Sequence, residues 1–229
     1  MKTIGLIGGT GWVSTIEYYR LINEGINKQL GGQNAARCIL YSFNYADIDK
    51  LNKKDDHEGI SKLVLNAAQR LKAASADFIV LCANTLHMFN DELVEKIQLP
   101  VVHIADATAV EIKRNGLTKI GLLGTKFTME MDFYTARLQA AGIESLVPEK
   151  PERLFIHDTI MNELLREIFR PEAKKRFLEI INDLEQKGAQ GIVLGCTEIP
   201  LLIKQEETHL PVFNTLKIHA QAAVDFALS

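Results

Sequence analysis

Short apolar runs alternate with longer amphipathic segments along the whole chain. Apolar runs of this kind are typical of strands buried on both faces of a parallel sheet, and the longer segments repeat their apolar positions at helical spacing. The pattern therefore predicts βαβ units and an α/β fold. Strands are predicted at residues 3–7, 36–43, 78–81, 101–104, 119–123, 191–194 and 212–213. Helices are predicted at residues 14–30, 58–74, 89–97, 105–115, 129–141, 156–169, 172–187 and 216–228.

Three short sequences recur in the same order in the second half of the chain. They are IGLIG at 4–8 and IGLLG at 120–124, IVLC at 79–82 and IVLGC at 192–196, and LPV at 99–101 and 210–212. Tyr18 and Tyr134 follow the first pair at the same offset. The repeat predicts two pseudo-symmetric, Rossmann-like α/β half-domains with parallel sheets and an active-site cleft between them. We assign residues 1–115 plus 210–229 to the first half-domain and residues 116–209 to the second.

Charge and cysteine content narrow the class of protein. The chain has 26 Lys and Arg against 29 Asp and Glu, a formal charge of −3, and no long basic run, which argues against a nucleic-acid partner. No apolar stretch has the length of a membrane span or of a leader peptide core. Three cysteines without close spacing argue against a disulfide framework and a metal site. We expect a cytoplasmic protein with free thiols, no metal and no membrane partner.

Two of the cysteines lie at corresponding points of the repeat. Cys82 follows the predicted strand 78–81 and Cys196 follows the strand 191–194, at the strand ends where parallel sheets bind ligands. Backbone N–H groups at such a turn favour a thiolate, and a thiolate and a thiol can act as general base and general acid. One such cysteine alone would be read as a small buried hydrophobe. Cys38 lies inside a predicted strand without a counterpart and is interpreted as structural.

Five segments resemble the aspartate/glutamate racemase family, most closely its broad-specificity amino-acid racemases. The segments are GGTGWVSTIEYY at 8–19, CANTLH at 82–87, LPVVHIADAT at 99–108, LLGTKFTME at 122–130 and GCTEI at 195–199. The resemblance spans nearly the whole chain and implies racemisation of a small amino acid without pyridoxal phosphate or another cofactor. It implies that one thiolate, of Cys82 or Cys196, removes the α-proton while the other thiol protonates the opposite face. It leaves a homodimer open.

Charge that develops on the substrate carboxylate must be met by preorganised donors. The candidate substrate-binding residues are Gly9, Thr10, Asn84, Thr85, Thr125, Thr128, Arg166, Thr197 and Glu198. Asn and Thr in such turns also serve as helix caps. Glu198 either modulates Cys196, binds the substrate ammonium group, or is a helix-start carboxylate. Arg166 lies in the region where acidic-substrate relatives hold a carboxylate, although a surface position is an equal alternative. His87 and His103 are interpreted as structural.

The sequence leaves alternatives open for both the substrate and the class of protein. Relatives carry Met-Ser at the positions of Thr10 and Gly11 and a Glu at that of Val13, so a neutral or longer amino acid suits the site as well as aspartate or glutamate. GTGWVS at 9–14 nearly matches GxGxxG, but its third glycine is Ser14 and no acidic residue ends the second strand, which argues against a dinucleotide-dependent oxidoreductase. A non-catalytic amino-acid-binding protein and a thiol-redox protein on the same fold remain alternatives.

Overall fold

The computed structural model describes residues 1–229 and contains two four-stranded parallel sheets. The chain forms two compact units, one of residues 1–103 with 219–229 and one of residues 104–218. Within each sheet the four strands of a repeat lie in the order second, first, third, fourth. The predicted α/β fold with one parallel sheet in each repeat is therefore confirmed. No helix combines the length and the apolar character that crossing a membrane requires.

The first unit alternates strands with helices up to its fourth strand. Its elements are β1 (Ile4–Gly8), α1 (Trp12–Leu30), β2 (Cys38–Ser42), α2 (Tyr45–Asn52), α3 (His57–Ala73), β3 (Phe78–Leu81), a 3₁₀ helix (Thr85–Phe89), α4 (Asn90–Ile97) and β4 (Val101–Val102). Every residue of β1 and β3 is buried, as their continuous apolar sequences predict. One face of the sheet packs against α3 and α4, where Ile7, Ile79 and Leu81 join Val64 and Leu93 in one apolar cluster.

The second unit repeats this plan with a longer insertion before its third strand. Its elements are α5 (Ile104–Arg114), β5 (Lys119–Gly124), α6 (Lys126–Glu130), α7 (Asp132–Ala140), β6 (Glu144–Leu146), α8 (Lys150–Asn162), a 3₁₀ helix (Leu164–Arg166), α9 (Pro171–Gln186), β7 (Ile192–Gly195), α10 (Ile199–Leu202), a 3₁₀ helix (Gln205–Glu207) and β8 (Val212–Asn214). The last helix, α11 (Thr215–Leu228), begins in this unit and continues into the first. Leu123, Ile192 and Leu194 pack on Ile156 and Phe177 from α8 and α9.

The helix that ends each repeat packs in the unit built by the other repeat. Apolar residues of α5 join β5 and α7 in one cluster, and the Tyr134 hydroxyl donates to Thr108 Oγ1 of α5 at 3.1 Å. From residue 219 onward α11 belongs to the first unit, where the Tyr18 hydroxyl lies 2.8 Å from His219 Nδ1. The two tyrosines that share an offset in the repeat thus bind the exchanged helices.

Because of this exchange, the unit boundaries differ from those that the sequence predicted. The sequence predicted boundaries after residues 115 and 209, whereas the units change after residues 103 and 218. β8 pairs with β7 in the second sheet, so residues 210–218 lie with the second unit rather than the first. Sequence periodicity identifies a helix but not the sheet that buries its apolar face, and packing decided both boundaries.

Several local predictions differ from the structure. The single helix predicted at 129–141 is two helices, α6 and α7, and the strand predicted at 101–104 ends at Val102. The helix predicted at 14–30 begins earlier, at Trp12 with Gly11 at its N-cap, and Ser14 donates its hydroxyl to Gly11 O at 2.8 Å from inside the first turn. The helix predicted at 156–169 begins earlier, at Lys150, and ends at Asn162. β6 and α2 were not predicted, because β6 has three residues on a sheet edge and α2 is short and mostly polar.

Candidate active site

The turn between β1 and α1 is held in one conformation by a threonine. Gly9 has a φ of 85°, a left-handed conformation that favours glycine, and its N–H donates to Thr15 Oγ1 at 2.9 Å. The Thr15 hydroxyl in turn donates to Gly11 O at 3.0 Å. Between these two glycines the side-chain oxygen of Thr10 is buried and has no hydrogen-bond partner. A buried hydroxyl without a partner is a group that a bound ligand can satisfy.

Two residues near this turn have features that the sequence did not predict. Thr15 was not among the candidate residues, although a threonine four positions after a glycine-rich turn can reach back to its backbone. Trp12 is the first residue of α1, and its side chain is 62% exposed. The sequence could not predict this exposure, because a helix start can point its first side chain either way.

Cys82 is the first residue after β3 and is fully buried. Its N–H donates to Ile7 O of β1 at 2.8 Å, so the sulfur-bearing residue is fixed to the neighbouring strand. Burial raises the pKa of the Cys82 thiol far above its usual range, because a thiolate loses its hydration there. The thiol is therefore protonated in the ligand-free protein.

The turn after Cys82 leads into the 3₁₀ helix that begins at Thr85, as its position at a strand end predicted. Asn84 is buried, and its side chain makes no capping bond to that helix. Asn84 was considered as a helix cap or as a group that binds substrate, and the structure shows no capping bond. Thr85 is half-buried at the start of the same helix. Gly9, Thr10, Cys82, Asn84 and Thr85 thus follow the carboxyl ends of two adjacent strands, β1 and β3.

Thr125 and Thr128 follow β5 in the second unit. The Thr125 side chain accepts a hydrogen bond from the Thr128 N–H at 3.4 Å and caps α6, so the capping role considered for Thr125 is the one observed. Its hydroxyl oxygen also lies 3.3 Å from Thr128 Oγ1, and Thr128 is fully buried. Gly124 pairs with Gly195 of β7, which brings this turn beside the one that carries Cys196.

Cys196 follows β7 and is almost completely buried. Its thiol lies 3.1 Å from Glu198 Oε2, and the Thr197 hydroxyl donates to the same oxygen at 2.8 Å. Burial raises the pKa of Cys196 well above its usual range, and the negative charge of Glu198 raises it further. The N–H groups of Glu198 and Ile199 oppose these effects because they donate to the sulfur. Glu198 is thus a direct partner of the thiol.

Glu198→Gln is expected to make Cys196 alkylate several-fold faster at pH 8. The amide carries no negative charge, so the pKa of Cys196 falls and a larger fraction of thiolate is present. The measurement is the rate of iodoacetamide labelling in a Cys38→Ser, Cys82→Ser background, where Cys196 is the remaining thiol. Glu179→Gln, the same charge change on α9, is the control and should leave the rate unchanged. Slower labelling of Glu198→Gln would contradict the assigned electrostatic effect.

Arg166 ends the 3₁₀ helix Leu164–Arg166 and is exposed. The helix predicted around it stops at Asn162, so Arg166 lies in a separate short turn. That turn contacts α10, the helix that follows Cys196. Arg166 therefore lies near the turn that carries Cys196. Its side chain is at the surface, which is one of the two positions considered for it.

Comparison with known proteins agrees with this architecture over the full length of the chain. A Yersinia pestis crystal structure, provisionally described as an Asp/Glu racemase, is 46% identical with a TM-score of 0.94, and an aspartate racemase homologue from Pyrococcus horikoshii is 35% identical with a TM-score of 0.86. Each match covers 100% of both chains. The glutamate racemase of Aquifex pyrophilus shares the fold at 20% identity and a TM-score of 0.65, covering 98% of this chain and 83% of its own.

The fold is therefore that of the solved racemase-type α/β structures. The chain belongs to the Asp/Glu/hydantoin racemase family, whose profile matches residues 7–223. The broad-specificity amino-acid racemase RacX of Bacillus subtilis is 23% identical over 99% of this chain and 98% of its own length. Relatives named in this way are isomerases.

Proposed function

We propose that the protein is a cofactor-independent amino-acid racemase in which Cys82 and Cys196 exchange protons with the two faces of one α-carbon. The observation that carries the proposal is a buried cysteine directly after the third strand of each repeat. Inversion of a stereocentre in a fixed substrate needs a base on one face and an acid on the other. A repeated unit supplies two such groups from two equivalent turns.

The proton count of the proposed reaction balances within the two thiols. One cysteine, as thiolate, takes the α-proton and becomes a thiol, while the other thiol gives its proton to the opposite face and becomes a thiolate. The product enzyme is then ready for the reverse reaction, so each direction uses the same two groups in opposite roles. Each thiol is protonated in the ligand-free protein, so one of them must first release its proton to solvent. The positive charge of a substrate ammonium group would favour this loss by lowering the pKa of the neighbouring thiol.

The carbanion formed in this reaction needs stabilisation of the adjacent carboxylate. We assign this role to polar groups of the strand-end turns, of which the unpartnered hydroxyl of Thr10 and the non-capping side chain of Asn84 are the strongest candidates. Gly9, Thr85, Thr128 and Thr197 stay in the proposed substrate-binding set. Thr125 and Glu198 are proposed to act through their neighbours, Thr125 by capping α6 and Glu198 by tuning Cys196.

The proposed substrate is aspartate, glutamate or a broader set of amino acids. Arg166, exposed near the Cys196 turn, is the candidate partner of an acidic side chain. The polar Thr10 and the family relationship to a broad-specificity racemase favour a wider range. We further propose a cytoplasmic location, where thiols remain reduced. A homodimer remains a prediction from the family resemblance, which light scattering of the purified protein tests.

Incubation of the purified protein in D₂O with a panel of L- and D-amino acids tests the proposal. We expect α-deuterium incorporation and loss of optical purity for at least one amino acid without any added cofactor, measured by NMR and chiral chromatography. Binding of an amino acid without exchange would instead favour a non-catalytic binding protein. Thiol titration with and without reductant completes the test, since a Cys82–Cys196 disulfide in the functional state would favour the thiol-redox alternative.

A further inference from the structure

Three buried histidines lie together in the first unit, behind the turn that carries Cys82. The ring centroid of His87 is 4.6 Å from that of His103 and 5.2 Å from that of His219. All three side chains are at most 5% exposed. His87 belongs to the 3₁₀ helix that follows Cys82, whereas His219 belongs to α11.

The hydrogen bonds of His219 determine which of its nitrogens carries the proton. Nε2 lies 2.8 Å from Val102 O, a group that only accepts, so this nitrogen must carry hydrogen. Nδ1 is then the acceptor for the Tyr18 hydroxyl at 2.8 Å. Burial lowers the pKa of His219 to about 4, so the ring is neutral at physiological pH.

His87 holds the opposite tautomer by the same reasoning. Its Nδ1 lies 3.0 Å from Ala83 O and must carry the hydrogen, which leaves Nε2 as an acceptor without a partner. Burial lowers the pKa of His87 well below its usual range, and His103 and His219 lower it further. The His87 ring is therefore neutral, and it donates one hydrogen bond, from Nδ1, to the backbone next to Cys82.

His87 contacts the cysteine turn twice. Its ring donates to Ala83 O, and its own N–H donates to Asn84 O at 3.1 Å. Because the peptide unit between Ala83 and Asn84 is planar and trans, holding the Ala83 carbonyl towards His87 points the Asn84 N–H away from the ring. The ring thus sets the direction of a backbone donor two residues from the Cys82 sulfur.

We propose that His87 is a positioning residue that fixes the Cys82 turn through its Nδ1–H bond to Ala83 O. This inference rests on the proposed role of Cys82, and it assigns His87 no proton transfer with the substrate.

The second repeat shows that the fold itself does not require this ring. At the offset that relates Cys82 to Cys196, the residue corresponding to His87 is Leu201, which is exposed. The Cys196 sulfur instead contacts Glu198. An apolar residue at position 87 would not bury an unpaired nitrogen such as Nε2. The hydrogen bond that Nδ1 donates therefore explains why a histidine is present.

Two variants of similar size separate positioning from packing. His87→Asn places an amide N–H near the position of Nδ1, whereas His87→Leu fills the space without a donor. We expect His87→Leu to lower kcat at least tenfold with KM changed less than threefold, and His87→Asn to recover at least a third of the wild-type kcat. Equal losses in both variants, or wild-type kcat in His87→Leu, would overturn the proposal.

Two measurements without substrate keep the inference separate from the proposed function. In a Cys38→Ser, Cys196→Ser background, His87→Leu should change the alkylation rate of Cys82 at least threefold. In a Cys38→Ser, Cys82→Ser background, His87→Leu should leave the alkylation rate of Cys196 within twofold. Equal changes at both thiols would indicate a general loosening of the structure and overturn the proposal.

¹⁵N NMR of histidine-labelled wild-type protein should show the Nδ1–H tautomer at His87. The Nε2–H tautomer would refute the proposal even if the variants fail to fold. A racemase active without Cys82 would instead refute the proposed function.

Discussion

Cys82→Ser and Cys196→Ser are each expected to lower racemase activity by about 10³-fold or more. A serine hydroxyl is a much weaker acid than a thiol, so neither variant can supply both the base and the acid, and general acid–base catalysis typically contributes about 10²–10⁴-fold. Because the two thiols act as one unit, the double variant should be little worse than either single variant. Initial rates from L- and D-substrate by chiral chromatography measure the effect.

The same variants carry two internal controls. The two enantiomers are equally stable in water, so kcat/KM must fall by the same factor in both directions. Cys38 lies in β2, half-buried and without a repeat counterpart, and Cys38→Ser should keep activity within about twofold. Activity that survives in Cys82→Ser, or disappears only in Cys38→Ser, would contradict the assignment of the catalytic pair.

Each single variant should also retain half of the chemistry. One remaining cysteine can still remove the α-proton from the enantiomer that faces it and return a solvent deuteron to the same face. We therefore expect Cys82→Ser and Cys196→Ser to exchange the α-hydrogen of opposite enantiomers, slowly and without inversion. Exchange of the same enantiomer by both variants would mean that the two sulfurs do not act on opposite faces.

The repeat was the most informative feature of the sequence for the fold. Continuous apolar runs in β1, β3, β5 and β7 identified the central strands, because strands buried on both faces have no polar alternation. The exchange of α5 and α11 could not be predicted, since their apolar faces fit either sheet and only tertiary packing selects one. Edge strands such as β6 are too short and too exposed to have a distinct pattern.

The same division applies to the candidate site. Local sequence patterns predicted some of its features, and three-dimensional contacts determined the others. The positions of Cys82 and Cys196 after strands followed from the sequence, because a strand end is a local property. The roles of Asn84 and Thr125 did not, since both residue types serve as caps and only the hydrogen bonds show that Thr125 caps and Asn84 does not. His87 was interpreted as structural without any expectation of its tautomer, which depends on Ala83 O and on rings distant in sequence.

The turn at Gly9 tolerates no side chain, for two reasons that add. Its φ of 85° costs an alanine roughly 1–2 kcal/mol relative to glycine. A Cβ there would also lie 2.2 Å from Phe43 O and 2.4 Å from Phe43 N, both backbone atoms that cannot rotate away. Relief therefore requires the turn to move from the end of β2, and Thr10, the next residue, must move with it.

Gly9→Ala is accordingly expected to destabilise the protein by roughly 2–4 kcal/mol, a fall in Tm of about 5–15 °C, and to lower kcat/KM at least tenfold through the displaced turn. Gly116→Ala is the matched control, because Gly116 has a φ of 71° but nothing within 4 Å of the added Cβ. It should cost only the conformational part, about 1–2 kcal/mol, and leave kcat/KM nearly unchanged. Thermal unfolding and initial rates measure both variants. Equal effects of the two substitutions would mean that left-handed backbone alone, and not the contact with Phe43, accounts for the glycine at position 9.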